Sequence, residues 1–262
     1  ETREKRMETE KLMRICGDTA REAGDYARAQ GAPEITVKGL HDYVTQADRA
    51  TERLIRERLL RAYPGTGFYG EETGVSEGKL GEWVVDPIDG TTNYMRGLPI
   101  YTTSIAFRRD GELLAGAVYC PALGELFLAG KHLGATLNGE KIHVSREGDL
   151  QRSLVGMSFA HQSNADGARM KKLIPLLRDN VDDMRRMGSA AYALSCVACG
   201  RYEAFLELGL KPYDIAAGVL LVTEAGGIVT GWPGEQDAFE KGNILSGNAQ
   251  VNAPLSALLK QV

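Results

Sequence analysis

The sequence predicts a layered α/β protein, and three observations carry the prediction. Two amphipathic helical stretches open the chain. A run of short apolar segments separated by turn signals follows, between Thr102 and Leu137. Beyond Gln151, segments of strand and helix character alternate to the end.

Glu8 to Gln30 carries Leu12, Ile15, Cys16, Ala20, Ala23 and Ala27 at helical spacing, which predicts the first helix. Gly31-Ala32-Pro33 ends it. Lys38 to Tyr43 reads as a loop. Thr45-Gln46-Ala47-Asp48 reads as a variant capping box opening a second helix, with Ala50, Leu54, Ile55 and Leu59 on one face. Tyr63-Pro64-Gly65 closes that helix. Gly65 to Gly70 has the glycine spacing of a dinucleotide-binding loop. That loop must follow a strand and open a helix. This one follows a helix and runs into Glu71-Glu72-Thr73-Gly74, so the dinucleotide reading is rejected.

Trp83-Val84-Val85 reads as a short buried strand that delivers Asp86 at its end. Pro87 has no N–H to donate and is expected to stop the ladder. Asp89 is expected one turn later, and Gly90, Thr91 and Thr92 then offer amides and hydroxyls. Two carboxylates on a rigid turn beside free N–H donors suit the holding of a divalent metal against a phosphate.

Thr102–Phe107, Leu113–Tyr119, Leu126–Leu128 and Ala135–Leu137 read as strands, and Asn138-Gly139 is a type I′ hairpin signal. An antiparallel sheet beneath the two helices is expected. Polarity rises over Ser145–Gln151, where a boundary is placed: residues 1–148 form an N-terminal α+β domain and 149–262 a C-terminal α/β domain. In the second part, Leu154–Phe159, Met184–Met187, Ala204–Leu206, Gly227–Thr230 and Ile244–Ser246 read as strands. Ala165–Arg178, Ser189–Cys199, Tyr213–Ala225 and Ala253–Leu259 read as helices.

Composition excludes several classes. With 43% apolar and 25% charged residues the chain is of ordinary globular type. A net charge of −4 without a basic stripe argues against nucleic acid as a partner. No apolar run reaches the roughly 20 residues of a membrane span, and the charged stretch Glu1–Lys11 is unlike a secretory signal. Cys196 and Cys199 have redox-motif spacing, but an Ala-rich helical stretch makes them small buried hydrophobes; a reduced, cytoplasmic protein is expected. No cysteine has the arginine six positions on that a Cys-x5-Arg phosphate loop requires, and no G-x-x-x-x-G-K-[ST] loop occurs. His41, His132, His143 and His161 have no metal-ligand spacing.

Three motifs in order resemble those of the inositol monophosphatase family, the lithium-sensitive, magnesium-dependent phosphatases. Asp86-Pro87-Ile88-Asp89-Gly90-Thr91-Thr92-Asn93 resembles the family's first signature. Gly70-Glu71-Glu72 resembles its G-E-E motif. Tyr213-Asp214-Ile215-Ala216-Ala217-Gly218 resembles its second signature, with Tyr where Trp is usual. The resemblance spans roughly Lys38 to Ile228 and implies a five-layer α-β-α-β-α sandwich of the inositol monophosphatase and fructose-1,6-bisphosphatase type. It implies two or three Mg2+ per site. Glu71, Asp86 and the carbonyl of Ile88 would bind the first ion, and Asp86, Asp89 and Asp214 the second. Glu71, Thr91 and Asp48 would be the catalytic residues, with Lys38 at the entrance. Asp89, Gly90, Thr91, Gly188, Ser189, Ala190, Glu207 and Asp214 would face the substrate, a small phosphate monoester, with myo-inositol 1-phosphate preferred over histidinol phosphate and fructose 1,6-bisphosphate. The family is commonly dimeric, so a homodimer is expected, without membrane or nucleic-acid partners.

Overall fold

The computed structural model describes residues 2–31, 35–39, 42–158, 164–233 and 242–261. The chain opens with α1 (Arg3–Ala29), a hairpin of β1 (Ile35–Gly39) and β2 (Asp42–Thr45), and α2 (Gln46–Ala62). Strands β3 (Gly67–Gly70), β4 (Gly74–Ser76) and β5 (Glu82–Asp89) follow, then the short α3 (Thr91–Met95). A meander comprises β6 (Thr102–Arg109), β7 (Glu112–Cys120), β8 (Glu125–Gly130), β9 (Gly134–Leu137) and β10 (Glu140–Ile142). The remainder is β11 (Leu154–Met157), α4 (Asn164–Arg178), β12 (Asp183–Arg185), α5 (Ala190–Ala198), β13 (Ala204–Glu207), α6 (Pro212–Glu224), β14 (Ile228–Thr230), β15 (Ile244–Gly247) and α7 (Ala249–Leu259).

Strand periodicity sorts the side chains into layers. In the eight-stranded sheet, ordered β10-β9-β8-β7-β6-β5-β3-β4, Trp83, Val85, Ile105, Phe107, Ala117 and Tyr119 point to one face. There they pack with Leu12, Cys16 and Ala20 of α1 and Ile55 and Leu59 of α2. Val84, Ala106, Val118 and Phe127 point to the other face and share a core with Leu194 and Val197 of α5 and Ile215 and Leu221 of α6. Phe205 and Ile244 of the five-stranded sheet, ordered β12-β11-β13-β15-β14, close that core from the far side. The opposite face of the second sheet buries Leu206 and Leu245 against Leu173 and Leu177 of α4 and Leu255 and Leu259 of α7. The result is five layers, α-β-α-β-α. Helices of the second half thus pack on the sheet of the first.

Several local expectations are corrected. The stretch around Lys38–Tyr43, expected as a loop, is largely the β1–β2 hairpin, with Ile35 opposite Thr45 and a register shift between Val37 and Gly39. Leu40 and His41 lie outside the described residues, as do Ala32, Pro33, Phe159 and His161. The first helix starts at Arg3 rather than Glu8, because Thr2 caps it, its side chain accepting from the Lys5 N–H. The large sheet is antiparallel at every pair but one: β3 runs parallel to β5. The Asn138-Gly139 turn matches its reading, with φ of 50° and 89° joining β9 to β10.

Pro87 does not end its strand. It bulges it: Asp86 pairs with Ser104 and Asp89 with Thr102, so two residues oppose the single Thr103. The Thr103 hydroxyl donates to the Pro87 carbonyl at 2.9 Å. Asp86 and Asp89 therefore both stay on β5 instead of lying a turn apart, and the bulge aims both at the same end of the sheet.

Candidate active site

The ends of β3, β5 and β13 and the starts of α3, α5 and α6 meet around one cleft of about 650 Å³. Its walls hold Glu71, Asp86, Ile88, Asp89, Gly90, Thr91, Gly188, Ser189, Ala190, Glu207 and Asp214, eleven of the twelve site positions named from sequence. Asp48 stands behind Thr91, 1% exposed.

Each side chain is held. Asp86 Oδ1 accepts from the Ile88 N–H at 3.0 Å, which fixes the bulge. The Thr91 hydroxyl lies 3.1 Å from the Ile88 carbonyl and 3.3 Å from Asp48 Oδ1. It has one proton for these two acceptors and lone pairs to accept with. Gly90 turns β5 into α3 at φ 96°, a left-handed conformation that a Cβ would strain. Asp89 Oδ2 accepts from the Ser189 hydroxyl at 2.6 Å and from the Ala191 N–H at 2.7 Å. Ser189 also caps α5, accepting from the Tyr192 N–H at 3.1 Å. Asp214 is in the first turn of α6 and accepts from the Lys211 N–H at 2.6 Å, a capping contact in addition to its place on the cleft. Tyr213, where Trp is usual, packs edge-on against Tyr69 with centroids 5.7 Å apart.

The electrostatics are those of crowded acids. Burial, then the charges of Glu71, Asp89, Asp214 and Asp48, push the Asp86 carboxyl well above the usual carboxylate range. Burial raises Asp89 to about 6 against the opposing hydrogen bonds from Ser189 and Ala191. Burial and then the Asp89 charge raise Asp214 to about 7. Burial, then the charges of Asp214 and Asp89, raise Glu207 to about 8.

This donor set fits magnesium. It consists of hard oxygens with no sulfur or imidazole, and its mutual repulsion is what a divalent cation relieves. Among the described residues no group of three or more acidic, histidine or cysteine side chains is arranged to hold an ion. Magnesium does not require such a cage, since it usually keeps several waters and is bound through one or two carboxylates plus substrate phosphate.

Sequence reasoning missed several contributors. Asn93 lies inside the first signature, yet its part emerges only in three dimensions: its Nδ2 donates to the Ile100 and Met187 carbonyls, at 2.5 and 2.7 Å. Arg96, Ser158, Arg186 and Leu210 also line the cleft, and Glu52 braces the Glu71 loop from α2. Adjacency to Gly188-Ser189 was the available signal for Arg186. The side chain of Lys38 lies outside what the structure describes, and His132 and His143 do not line the cleft. All four cysteines are free, and burial pushes the Cys196 thiol up to about 12, so it stays protonated.

The layered fold and its carboxylate-lined cleft define the class, a phosphatase acting on small phosphate esters. The chain matches the inositol monophosphatase family over residues 8–261 and belongs to that family. It is 38% identical over 258 residues to an inositol-1-monophosphatase of Mesorhizobium japonicum, covering 96% of each chain. It is 38% identical over 246 residues to the Nus factor SuhB of Escherichia coli, covering 92% of each. The crystal structure of extragenic suppressor protein suhB from Bartonella henselae superposes with a TM-score of 0.92 at 36% identity, over 95% of this chain and 98% of that one. No helix among the described residues is long and apolar enough to cross a membrane.

Proposed function

We propose that this protein is a magnesium-dependent phosphate monoesterase whose preferred substrate is myo-inositol 1-phosphate, acting in the cytoplasm as a homodimer. One observation carries the reading: Glu71, Asp86, Asp89 and Asp214 line one cleft with Asp48 behind it, and burial together with the neighbouring charges raises the pKa of Asp86. The family membership and the inositol-1-monophosphatase of Mesorhizobium japonicum support it. We retain the division of the chain near residue 148 as part of this proposal, with most of the ion-binding side chains before it and Asp214 after it.

Glu71, Asp86, the Ile88 carbonyl, Asp89 and Asp214 would hold two or three magnesium ions. Bound magnesium would neutralise phosphate charge and lower the pKa of water. The chain's own groups do the rest. Thr91, backed by Asp48, orients the attacking water through its hydroxyl, and the Glu71 carboxylate takes up a proton. The Gly90 and Thr91 amides face the phosphate. Glu207 accepts from hydroxyls of the leaving alcohol, beside the open backbone of Gly188-Ser189-Ala190.

The test is phosphate release from a panel of monoesters. Turnover with magnesium, loss in chelator, its return on adding magnesium again, and inhibition by lithium are the expected outcomes; full turnover in chelator overturns the magnesium-dependent reading. The similarity to the Nus factor SuhB of Escherichia coli favours a second reading, a non-catalytic interaction protein on the same fold. Absence of release from every monoester by folded, magnesium-saturated protein would establish that reading instead.

A further inference from the structure

Glu52 is a charged side chain buried to 0% exposure on α2, outside the cleft. Its two carboxylate oxygens are divided between consecutive backbone amides: Oε2 accepts from the Glu72 N–H and Oε1 from the Thr73 N–H, each at 2.8 Å. The loop it grips carries Glu71. On the loop's other flank, the Glu71 N–H donates to the Val85 carbonyl of β5 at 3.3 Å.

Gly70 shows how closely this grip is fitted. A Cβ there would stand 2.5 Å from Glu52 Oε2 and 2.6 Å from Phe68 Cε1, distances that real side chains do not adopt. The glycine of the G-E-E motif thus leaves the space that the Glu52 carboxylate fills. From the solvent side, Arg49 Nε approaches Glu72 Oε2 at 3.8 Å, adding a second tie from α2 to the same loop.

One helical turn before Glu52, Asp48 meets the Thr91 hydroxyl. Residues four apart share a helix face. The same face of α2 therefore holds Glu71's loop through Glu52 and Thr91's turn through Asp48. A rigid helix spanning both contacts sets the separation of two groups that come from different strand ends.

We propose that Glu52 is a positioning residue that fixes the Glu71 carboxylate against Thr91 and the ion-binding acids. This rests on the reading above that Glu71 serves the ion site. Glu52→Ala leaves the Glu72 and Thr73 amides without their acceptor and frees the loop. Glu52→Gln keeps one acceptor oxygen and turns an NH2 donor toward the other amide. Gly70→Ala keeps Glu52 but drives it from its place. Changing a residue that orients an ion ligand costs about 10–100-fold in metal affinity or activity.

Three measurements test this on the full chain: calorimetric Mg2+ binding, amide hydrogen exchange at residues 70–74, and kcat and KM for phosphate release. Glu52→Ala and Gly70→Ala should weaken Mg2+ binding roughly tenfold or more, accelerate exchange in this loop, and lower kcat more than they raise KM. Glu52→Gln should fall between these variants and wild type, and should carry the comparison if Glu52→Ala does not fold. Glu57→Gln removes the same charge from an exposed site on α2 and should match wild type. A lowered melting temperature with unchanged Mg2+ affinity and unchanged loop exchange overturns the proposal. A wild type that binds Mg2+ but releases no phosphate overturns the phosphatase reading, while Glu52 is still judged by affinity and exchange.

Discussion

Ser189 donates its hydroxyl proton to Asp89 Oδ2 at 2.6 Å, across a hundred residues of chain. The contact joins the end of β5 in the first sheet to the first turn of α5 in the middle layer. The same hydroxyl accepts from the Tyr192 N–H, so one oxygen both starts a helix and steadies an acid of the cleft. Local signals placed Ser189 at a helix start, but only the packing of α5 against the first sheet brings it to Asp89.

Ser189→Ala should therefore lose on both counts. A hydrogen bond to a charged group contributes about 1.5–3 kcal/mol and a helix cap about 1 kcal/mol. At about 2–4 °C per kcal/mol for a chain of this size, the expected fall in melting temperature is several degrees. Activity should drop as well, since Asp89 loses a donor that fixes its orientation. Thermal melts in chelator isolate the first effect and steady-state kinetics in magnesium the second. An unchanged melt would show that the cap and the bond are both dispensable.

Asp86→Asn should separate function from stability. Asp86 is 2% exposed and surrounded by Glu71, Asp89, Asp214 and Asp48, whose charges oppose its ionisation. Removing its charge should abolish turnover by several decades while the metal-free fold holds or gains a few degrees. Glu72→Gln, by contrast, should retain most activity. Near wild-type turnover by Asp86→Asn in magnesium would refute its proposed part in holding both ions.

Asn93→Asp tests the pin between α3 and the strand-to-helix turn at Gly188. Nδ2 donates to both the Ile100 and Met187 carbonyls. An aspartate of the same shape would face two acceptors with a third. The cost of an unsatisfied, charged group in a half-buried place is about 1–3 kcal/mol or more, read as a lower denaturant midpoint. Equal stability of the variant would mean the two carbonyls find other donors.

The crowded acids also fix a pH dependence for the metal-free protein. Folding raises Asp89 from 3.8 to about 6, Asp214 from 3.8 to about 7 and Glu207 from 4.5 to about 8. Between these limits the native state binds more protons than the unfolded state, so stability falls as pH rises. In chelator, the melting temperature should decline from about pH 4 to about pH 8 and then level off. Magnesium should flatten the upper part of that decline, because it takes over from protons in offsetting the charge. A flat profile in chelator would contradict the crowding.

How much of this was legible in the sequence depends on the range of the interactions involved. The D-P-I-D turn drew attention to itself through residue type and spacing, and every position that the motifs proposed for ion binding lies on the cleft. The effect of Pro87 was misread, because whether a proline ends or bulges a strand depends on its neighbour, here Thr103 bonded to the Pro87 carbonyl. The first turn of α1 was missed because Arg3, Glu4, Lys5 and Arg6 face solvent and leave no apolar stripe, although most are good helix formers. The β1–β2 hairpin was missed because two short strands with a bulge carry little periodic signal. Glu52 sits one turn beyond Asp48 on a helix that was recognised, yet nothing local distinguishes it from a solvated glutamate. Its partners are backbone amides twenty residues away.

The substrate preference proposed above is tested at Glu207, at the end of β13 on the cleft wall. Its charge is raised in cost by burial and by Asp214 and Asp89, and eased by Arg186. A polyol presents hydroxyls that a carboxylate accepts; histidinol phosphate presents an ammonium group that a carboxylate pairs with. Glu207→Gln keeps the shape and removes the charge. It should weaken the preferred substrate by one to two decades in kcat/KM, matching the roughly 1–3 kcal/mol of a buried partner left unsatisfied. A nitrophenyl phosphate, which offers neither group, should lose far less. An ammonium substrate should suffer more than a polyol, because an amide keeps one acceptor oxygen for a hydroxyl, leaving a second hydroxyl unpaired, but no longer balances a cation at all. The measurement is kcat/KM for inositol 1-phosphate, histidinol phosphate, fructose 1,6-bisphosphate and nitrophenyl phosphate, on wild type and on Glu207→Gln. Inositol 1-phosphate should lead in the wild type. If histidinol phosphate leads by a decade and collapses in Glu207→Gln, Glu207 is an ammonium-binding group and the inositol assignment falls, while the carboxylate cleft keeps its place in phosphate-ester hydrolysis.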